Sequence, residues 1–233
     1  MRERRTYGDS CGIARALDVV GERWALLVAR ELVLGPKRFT DLRSALPRLG
    51  PDMLAQRLRD LEAAGVLVRR RLAPPAAAQV YELTAWGREL EPVLVALGRW
   101  GSRRTLGEDS PPLSPDAAAI ALETTFDPVA AAGVRAVYGL RLGEHSFTIT
   151  VGGGGGGGGD DGDGDDDGGG VRVTRGAPGQ ADATIVTDTG TLAGVLWAGR
   201  PMADAVDAGE LAIEGDRAAA ERFPGLFAVP VPV

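Results

Sequence analysis

Apolar residues recur at helical spacing through the first hundred positions. Ile13, Ala16, Leu17 and Val20 fall at i, i+3, i+4 and i+7, one face of an amphipathic helix that Gly21 ends. A second helix is expected over 24–34, stopping before Gly35-Pro36. A short third helix follows Thr40 as its N-cap, turns Leu42 and Leu46 inward and closes at Pro47. Gly50-Pro51 opens a fourth over 51–64, with proline at the first helical position where its missing N–H is harmless, and Gly65 stops it. The period then shifts towards two. Residues 66–71 and 79–83 read as paired strands, with Pro74-Pro75 and three alanines between them. Thr84 caps a last helix, in which Leu90, Val93, Leu94, Leu97 and Trp100 make one apolar stripe. Four helices, a hairpin and a helix are the element order of a winged helix-turn-helix with flanking helices.

Beyond that point the pattern is mixed. Residues 137–142 and 146–151 alternate as strands around Gly143-Glu144-His145, and 171–174 and 183–187 read as two more. Helices are expected over 191–197 and 202–208, then a short strand at 211–214 and a helix near 216–223. The fold class is α+β. A winged helix-turn-helix domain spans 1–106, a Pro-rich polar linker 107–115, and an α+β domain 116–233. Residues 152–170 consist of Gly and Asp, with eight successive glycines at 152–159. Such a stretch buries no apolar area to offset its ordering entropy, so a flexible, disordered loop is expected.

Charge sharpens this division. The 233 residues carry 26 Lys+Arg and 32 Asp+Glu, a net of −6. Residues 1–107 hold 19 of the former and 12 of the latter, so the first half is basic and suits a polyanion such as DNA. The remainder is strongly acidic. Cys11 and His145 are single, which leaves no intrachain disulfide and no Cys/His zinc site, and makes a reducing, cytoplasmic setting the default. No apolar run is long enough to span a membrane, and no apolar stretch follows the basic N-terminus as a signal peptide would need.

Base-reading chemistry is concentrated in the fourth helix. On a helical wheel Leu54, Leu58 and Leu61 share one side, and Asp52, Gln56 and Arg59 point the opposite way, with Ala55 and Asp60 at the margins. Amide and guanidinium groups read adenine and guanine edges bidentately. Arg57, at the rim of the apolar stripe, reaches either a phosphate or a carboxylate. Arg69-Arg70-Arg71 ends a hairpin strand where a wing would follow the phosphate backbone. Arg38 and Thr40, at the start of the short helix, are further DNA-contact candidates. Catalytic and metal constellations are absent. Asp161-Gly162-Asp163-Gly164-Asp165 fails as an EF-hand, with Asp166 at the sixth position and Arg172 at the twelfth. The glycine run lacks the Lys-Ser/Thr of a P-loop. His145 has only Ser146 beside it and no triad geometry. No cofactor is implied.

Residues 11–101 resemble the HxlR family, winged-helix relatives of the MarR regulators. The resemblance is carried by residues 11–18, Gly21-Glu22-Arg23-Trp24, residues 34–42, residues 54–65 and Tyr81-Glu82-Leu83-Thr84-Ala85-Trp86-Gly87. Gly12 stands where members usually have Pro, and Asp52 where many have a basic residue. The resemblance implies a homodimer held by the first and last helices through Ile13, Leu17, Leu90, Val93, Leu94, Leu97 and Trp100. Two recognition helices would then enter successive major grooves of double-stranded DNA. Cys11 aligns with a cysteine that serves some relatives as a redox sensor; its other reading is a small buried hydrophobe. The second half resembles the sterol-carrier-protein-like fold at the 138–151 hairpin, Ala181-Asp182-Ala183-Thr184, the helix 192–197 with Gly199, and residues 208–216. That resemblance implies an apolar tunnel for a lipid-like ligand, lined by Leu192, Val195, Leu196, Trp197, Met202, Val206 and Phe223. The expected function is a sequence-specific, homodimeric transcriptional regulator controlled by an apolar ligand. The alternatives are a lipid carrier whose winged helix contacts another protein, and a redox-sensing regulator acting through Cys11.

Overall fold

A computed structural model describes residues 6–73, 77–104, 112–152 and 170–229. Residues 74–76, 105–111 and 153–169 lie outside the described residues, and with them most of the expected Gly/Asp loop and the first part of the expected linker, 107–111. The chain divides into two compact units, the first ending at Leu94 and the second beginning at Val95.

The first unit runs α1 (Gly12–Val20), α2 (Ala25–Val33), α3 (Phe39–Ala45), α4 (Pro51–Ala63), β1 (Leu67–Arg71), β2 (Gln79–Leu83), α5 (Ala85–Arg88) and the start of α6 (Leu90–Gly101). Val28, Leu32, Leu42, Leu46, Leu49, Leu54, Leu58, Leu61, Leu67 and Leu83 form one buried core. Strands β1 and β2 pair antiparallel from Leu67↔Leu83 to Arg71↔Gln79. Lys37 adds a bridge to the free edge of β2, its N–H donating to the Tyr81 carbonyl at 3.0 Å and its carbonyl accepting from the Tyr81 N–H at 2.8 Å. Inside this frame Glu31 is fully buried. Its carboxylate meets Arg30 Nη2 and Lys37 Nζ, both at 2.7 Å.

Two boundaries differ from the sequence reading. Thr40 does not cap α3. The helix begins at Phe39 with Arg38 as N-cap, because the Asp41 carboxylate reaches back to accept from the Arg38 N–H at 2.9 Å. Thr84 does cap a helix, its Oγ1 accepting from the Gly87 N–H at 3.0 Å, but that helix ends at Arg88 and a new one starts at Leu90. Pro92 explains the break. In one continuous helix it would clash with the Arg88 carbonyl, whereas in the first turn of α6 it loses no hydrogen bond.

The second unit holds the rest of α6, then α7 (Pro115–Thr125), β3 (Ala136–Leu142), β4 (His145–Val151), β5 (Val171–Arg175), β6 (Ala183–Thr187), α8 (Thr189–Trp197), α9 (Met202–Asp207), β7 (Ala212–Gly215) and α10 (Arg217–Arg222). The five strands form a mixed sheet in the order β5-β4-β3-β6-β7, in which β3 and β6 are parallel and the other pairs antiparallel. Tyr138, Leu140, Phe147, Ile149, Val173 and Ile185 point from one face into the core, which α7, α8 and α10 fill with Ala118, Leu122, Leu192, Val195 and Ala220. The Ser114 hydroxyl caps α7 through the Ala117 N–H, and Asp116 of α7 is buried against Arg175 of β5. Asp188 caps α8 by accepting from the N–H groups of Gly190 and Thr191 and from the Thr191 hydroxyl. These bonds to its charged form lower its pKa.

Candidate nucleic-acid interface

Helix α4 is held by its buried side and offers the other. Leu54, Leu58 and Leu61 are buried in the core, as the wheel requires, and Asp52, Gln56 and Arg59 are exposed, with Ala55 and Asp60 half-buried. Leu49, buried in the turn before Pro51, pins the N-terminal end. The exposed groups are ordered among themselves. Gln56 Nε2 donates to Asp60 Oδ1 at 2.7 Å, and Arg59 Nη2 donates to Gln56 Oε1 at 2.8 Å. The i,i+3 and i,i+4 spacings make both contacts possible on one helix face.

Of the two partners open to Arg57, the structure places carboxylates beside it. The side chain is only 10% exposed, with Nη2 3.0 Å from Asp60 Oδ2 and Nη1 3.3 Å from Glu22 Oε2. A guanidinium on the packed flank of a helix must be paired to be buried, and two acids do this. On the hairpin, Arg69, Arg70 and Arg71 are all exposed. Arg70 Nη2 lies 2.9 Å from Glu82 Oε2 on the paired strand, an ion pair the sequence reading missed. Arg38 and Thr40 are exposed at the start of α3. Arg43 on α3 and Arg48 in the α3–α4 turn are exposed as well, and the sequence reading passed over both.

A family model described as HxlR-like helix-turn-helix matches residues 19–108. Over 96 residues the chain is 41% identical to sll1512, an uncharacterised HTH-type transcriptional regulator of Synechocystis sp., a match covering 41% of this chain and 70% of that protein. The chain belongs to the HxlR-like helix-turn-helix family. YdeP of Bacillus subtilis, likewise an uncharacterised HTH-type transcriptional regulator, is 35% identical over 97 residues, 41% of this chain and 74% of its own length. A solved structure of the redox regulator HypR in its oxidized form is 33% identical, covers 42% of this chain and all of that one, and has a TM-score of 0.38. The HxlR-like family and these relatives are transcriptional regulators, not enzymes. The family model ends at residue 108 and leaves the acidic half outside it.

The remaining candidate residues of this HxlR-like chain fall as follows. Ile13 and Leu17 are exposed on α1, and Val93, Leu97 and Trp100 are exposed at i, i+4 and i+7 of α6, with Ile13 at 72% and Trp100 at 73%. Leu94 is buried, and Leu90 packs on the first unit's core. Cys11 is exposed at the N-cap of α1, so its packing as a buried hydrophobe is not observed. In the second unit Leu192, Val195, Leu196 and Phe223 are buried, and Trp197, Met202 and Val206 half-buried. A cleft of about 300 Å³ in this unit is lined instead by residues of the opposite sheet face and the loop before β6, among them Gly139, Arg141, Ser146, Gln180, Thr184 and Glu214. No cluster of metal-ligating side chains occurs among the described residues. Nor is any described helix long and apolar enough to cross a membrane.

Proposed function

We propose that this chain is a sequence-specific DNA-binding transcriptional regulator that acts as a homodimer, with α4 reading base edges in the major groove and the β1–β2 hairpin following the phosphate backbone. The observation that carries this reading is α4 itself. Its apolar side is locked in the core, and its opposite side presents an ordered amide and guanidinium, Gln56 and Arg59, to solvent. Arg69 and Arg71, exposed on β1 of the same unit, supply cations for phosphates, and Arg38, Arg43 and Arg48 extend that contact. Arg57 is assigned to structure and not to DNA. The dimer is supported by the exposed apolar residues of α1 and α6, which a monomer would leave in water. Selection of binding sites from a random duplex library by the full chain tests the reading. The expected product is a two-fold symmetric motif with half-sites about one helical turn, or a multiple of it, apart. A library that emerges without any enriched motif contradicts it.

For the second unit the mixed five-stranded sheet, covered on one face by helices, supports a sterol-carrier-like fold. An apolar ligand held between sheet and helices would reach Leu192, Val195, Leu196 and Phe223 and would enter past the half-buried Trp197, Met202 and Val206. Solvent extraction and mass spectrometry of the purified chain test this: a recovered lipid supports it, and unchanged Trp197 emission with added fatty acid counts against it. A regulator that also senses oxidants would use the exposed Cys11, by a bridge between two subunits or a mixed disulfide. An oxidant response retained by Cys11→Ser excludes that role.

A further inference from the structure

The reading face of α4 is not a set of independent side chains, and this observation reaches beyond the assignment of Gln56 as a base reader, on which it rests. We propose that Asp60 is a specificity-determining positioning residue, which sets the amide of Gln56 for base reading and is itself anchored by Arg57.

The chain of contacts runs from the packed flank of α4 to its exposed side. Glu22 Oε2 lies 3.3 Å from Arg57 Nη1, and Arg57 Nη2 lies 3.0 Å from Asp60 Oδ2. The second oxygen of the same carboxylate, Oδ1, accepts from Gln56 Nε2 at 2.7 Å. Each oxygen of Asp60 therefore faces a different partner, one nearly buried and one exposed. A carboxylate accepts and cannot donate, so it selects which end of the Gln56 amide turns towards it. Arg59, donating to Gln56 Oε1 at 2.8 Å, enforces the same orientation from the other end. The amide keeps one Nε2 hydrogen and one Oε1 lone pair unused by these two contacts, which is the donor–acceptor pair that an adenine edge requires.

The anchor is more buried than the reader. Arg57 is 10% exposed, and Glu22, 64% exposed, starts a turn that the Ala25 N–H closes by donating to the Glu22 carbonyl at 3.0 Å. A long exposed glutamine otherwise samples several rotamers, and each one lost on binding lowers the gain from the base contact. Holding it in advance turns the same contact into greater discrimination. Asp60 carries no base contact in this scheme. Its negative charge, partly exposed on α4, opposes binding to any polyanion.

The test uses the full chain and the duplex selected from the random library, with each base pair of a half-site replaced in turn. The position that Gln56→Ala relaxes is the reader's base pair. There the wild type should discriminate by about ten-fold or more, the range of one bidentate contact. Asp60→Ala should bring this to within about three-fold at that base pair alone, while affinity for scrambled DNA stays level or rises. The double variant Gln56→Ala with Asp60→Ala should discriminate no worse than Gln56→Ala, because the acid acts through the amide. Arg57→Leu removes the buried charge as well as the anchor, so it leaves no uncompensated cation in the fold, and it should lower discrimination part-way. Discrimination unchanged in Asp60→Ala, or losses that add in the double variant, would overturn the proposal. If Gln56→Ala relaxes no base pair, the assignment of Gln56 as reader fails first and the positioning role falls with it.

Discussion

Glu31 is a buried charge on which a single substitution should weigh heavily in the first unit. Its carboxylate is fully buried and has cations at 2.7 Å on both oxygens, Arg30 Nη2 on one and Lys37 Nζ on the other. Truncation by Glu31→Leu takes from Lys37, whose side chain is 12% exposed, the buried carboxylate it meets at 2.7 Å. Breaking a buried pair from one side costs about 3–5 kcal/mol, against a total domain stability of about 5–15 kcal/mol. For a domain of this size each kcal/mol moves the midpoint by roughly 4–8 °C, so the first unit should melt roughly 12–40 °C lower. The damage should also reach the hairpin, because the backbone of Lys37 pairs with Tyr81 on β2. Replacing both partners, Glu31→Leu with Lys37→Met, should recover more than half of the loss, since two apolar side chains of similar volume leave only the more exposed Arg30 to turn outward. Thermal melts followed by far-ultraviolet circular dichroism on the four proteins of this cycle measure the coupling. A single variant that melts within about 3 °C of wild type, or a double variant no better than the worse single one, would refute the reasoning.

Other outcomes are open to measurement. Gly87→Ala should destabilise the first unit by several kcal/mol in a denaturant titration, because a Cβ there would lie 1.9 Å from the Val66 carbonyl oxygen, a backbone atom that cannot step aside. Asp188→Ala should cost about 0.5–2 kcal/mol at neutral pH through loss of the α8 cap. The folded-state pKa of Asp188 is lowered below the ordinary 3.8, so its contribution is complete above that value and fades as pH falls through the lowered one. The difference between variant and wild-type melts should accordingly be constant near pH 6 and close at strongly acidic pH. Trp100→Glu combined with Leu97→Glu, both on the exposed side of α6, should convert the proposed homodimer to monomer in sedimentation velocity while leaving the helical circular dichroism unchanged; a wild type that sediments as a monomer contradicts the proposed dimer.

Much of the first unit was legible because its signals are local. The wheel of α4 separated Leu54, Leu58 and Leu61 from Asp52, Gln56 and Arg59, and the strand at 79–83 fell where the alternation put it. The start of α3 was misread because capping was sought in a Ser/Thr side chain, whereas Asp41 supplies the bond from three residues inside. Helix α7 was not foreseen. Ser114-Pro115 is a sound helix start, but it reads as the end of a Pro-rich linker, and the alanines that follow are buried at successive positions and show no amphipathic period. In the interface the roles of Arg57 and Arg70 depended on partners, Glu22 at 35 positions' remove and Glu82 across the hairpin, that only the tertiary fold brings near. The pairing of Asp60 with Gln56 and Arg57 did lie within reach of sequence, at spacings of four and three, and was overlooked because Asp60 sits at the margin of the wheel.

The measurement that bears most directly on the central claim is fluorescence anisotropy of the full chain on the selected duplex and on a scrambled duplex of equal composition, across a salt series. Wild type, Gln56→Ala and Arg69→Ala are compared. The wild type should prefer the selected duplex by at least about 10³-fold, and Gln56→Ala should reduce that ratio by about ten-fold while binding scrambled DNA as before. Arg69→Ala should weaken binding to both duplexes alike and lower the salt slope by about one. Equal affinity of the wild type for the two duplexes would contradict base reading by α4, whatever the strength of that affinity.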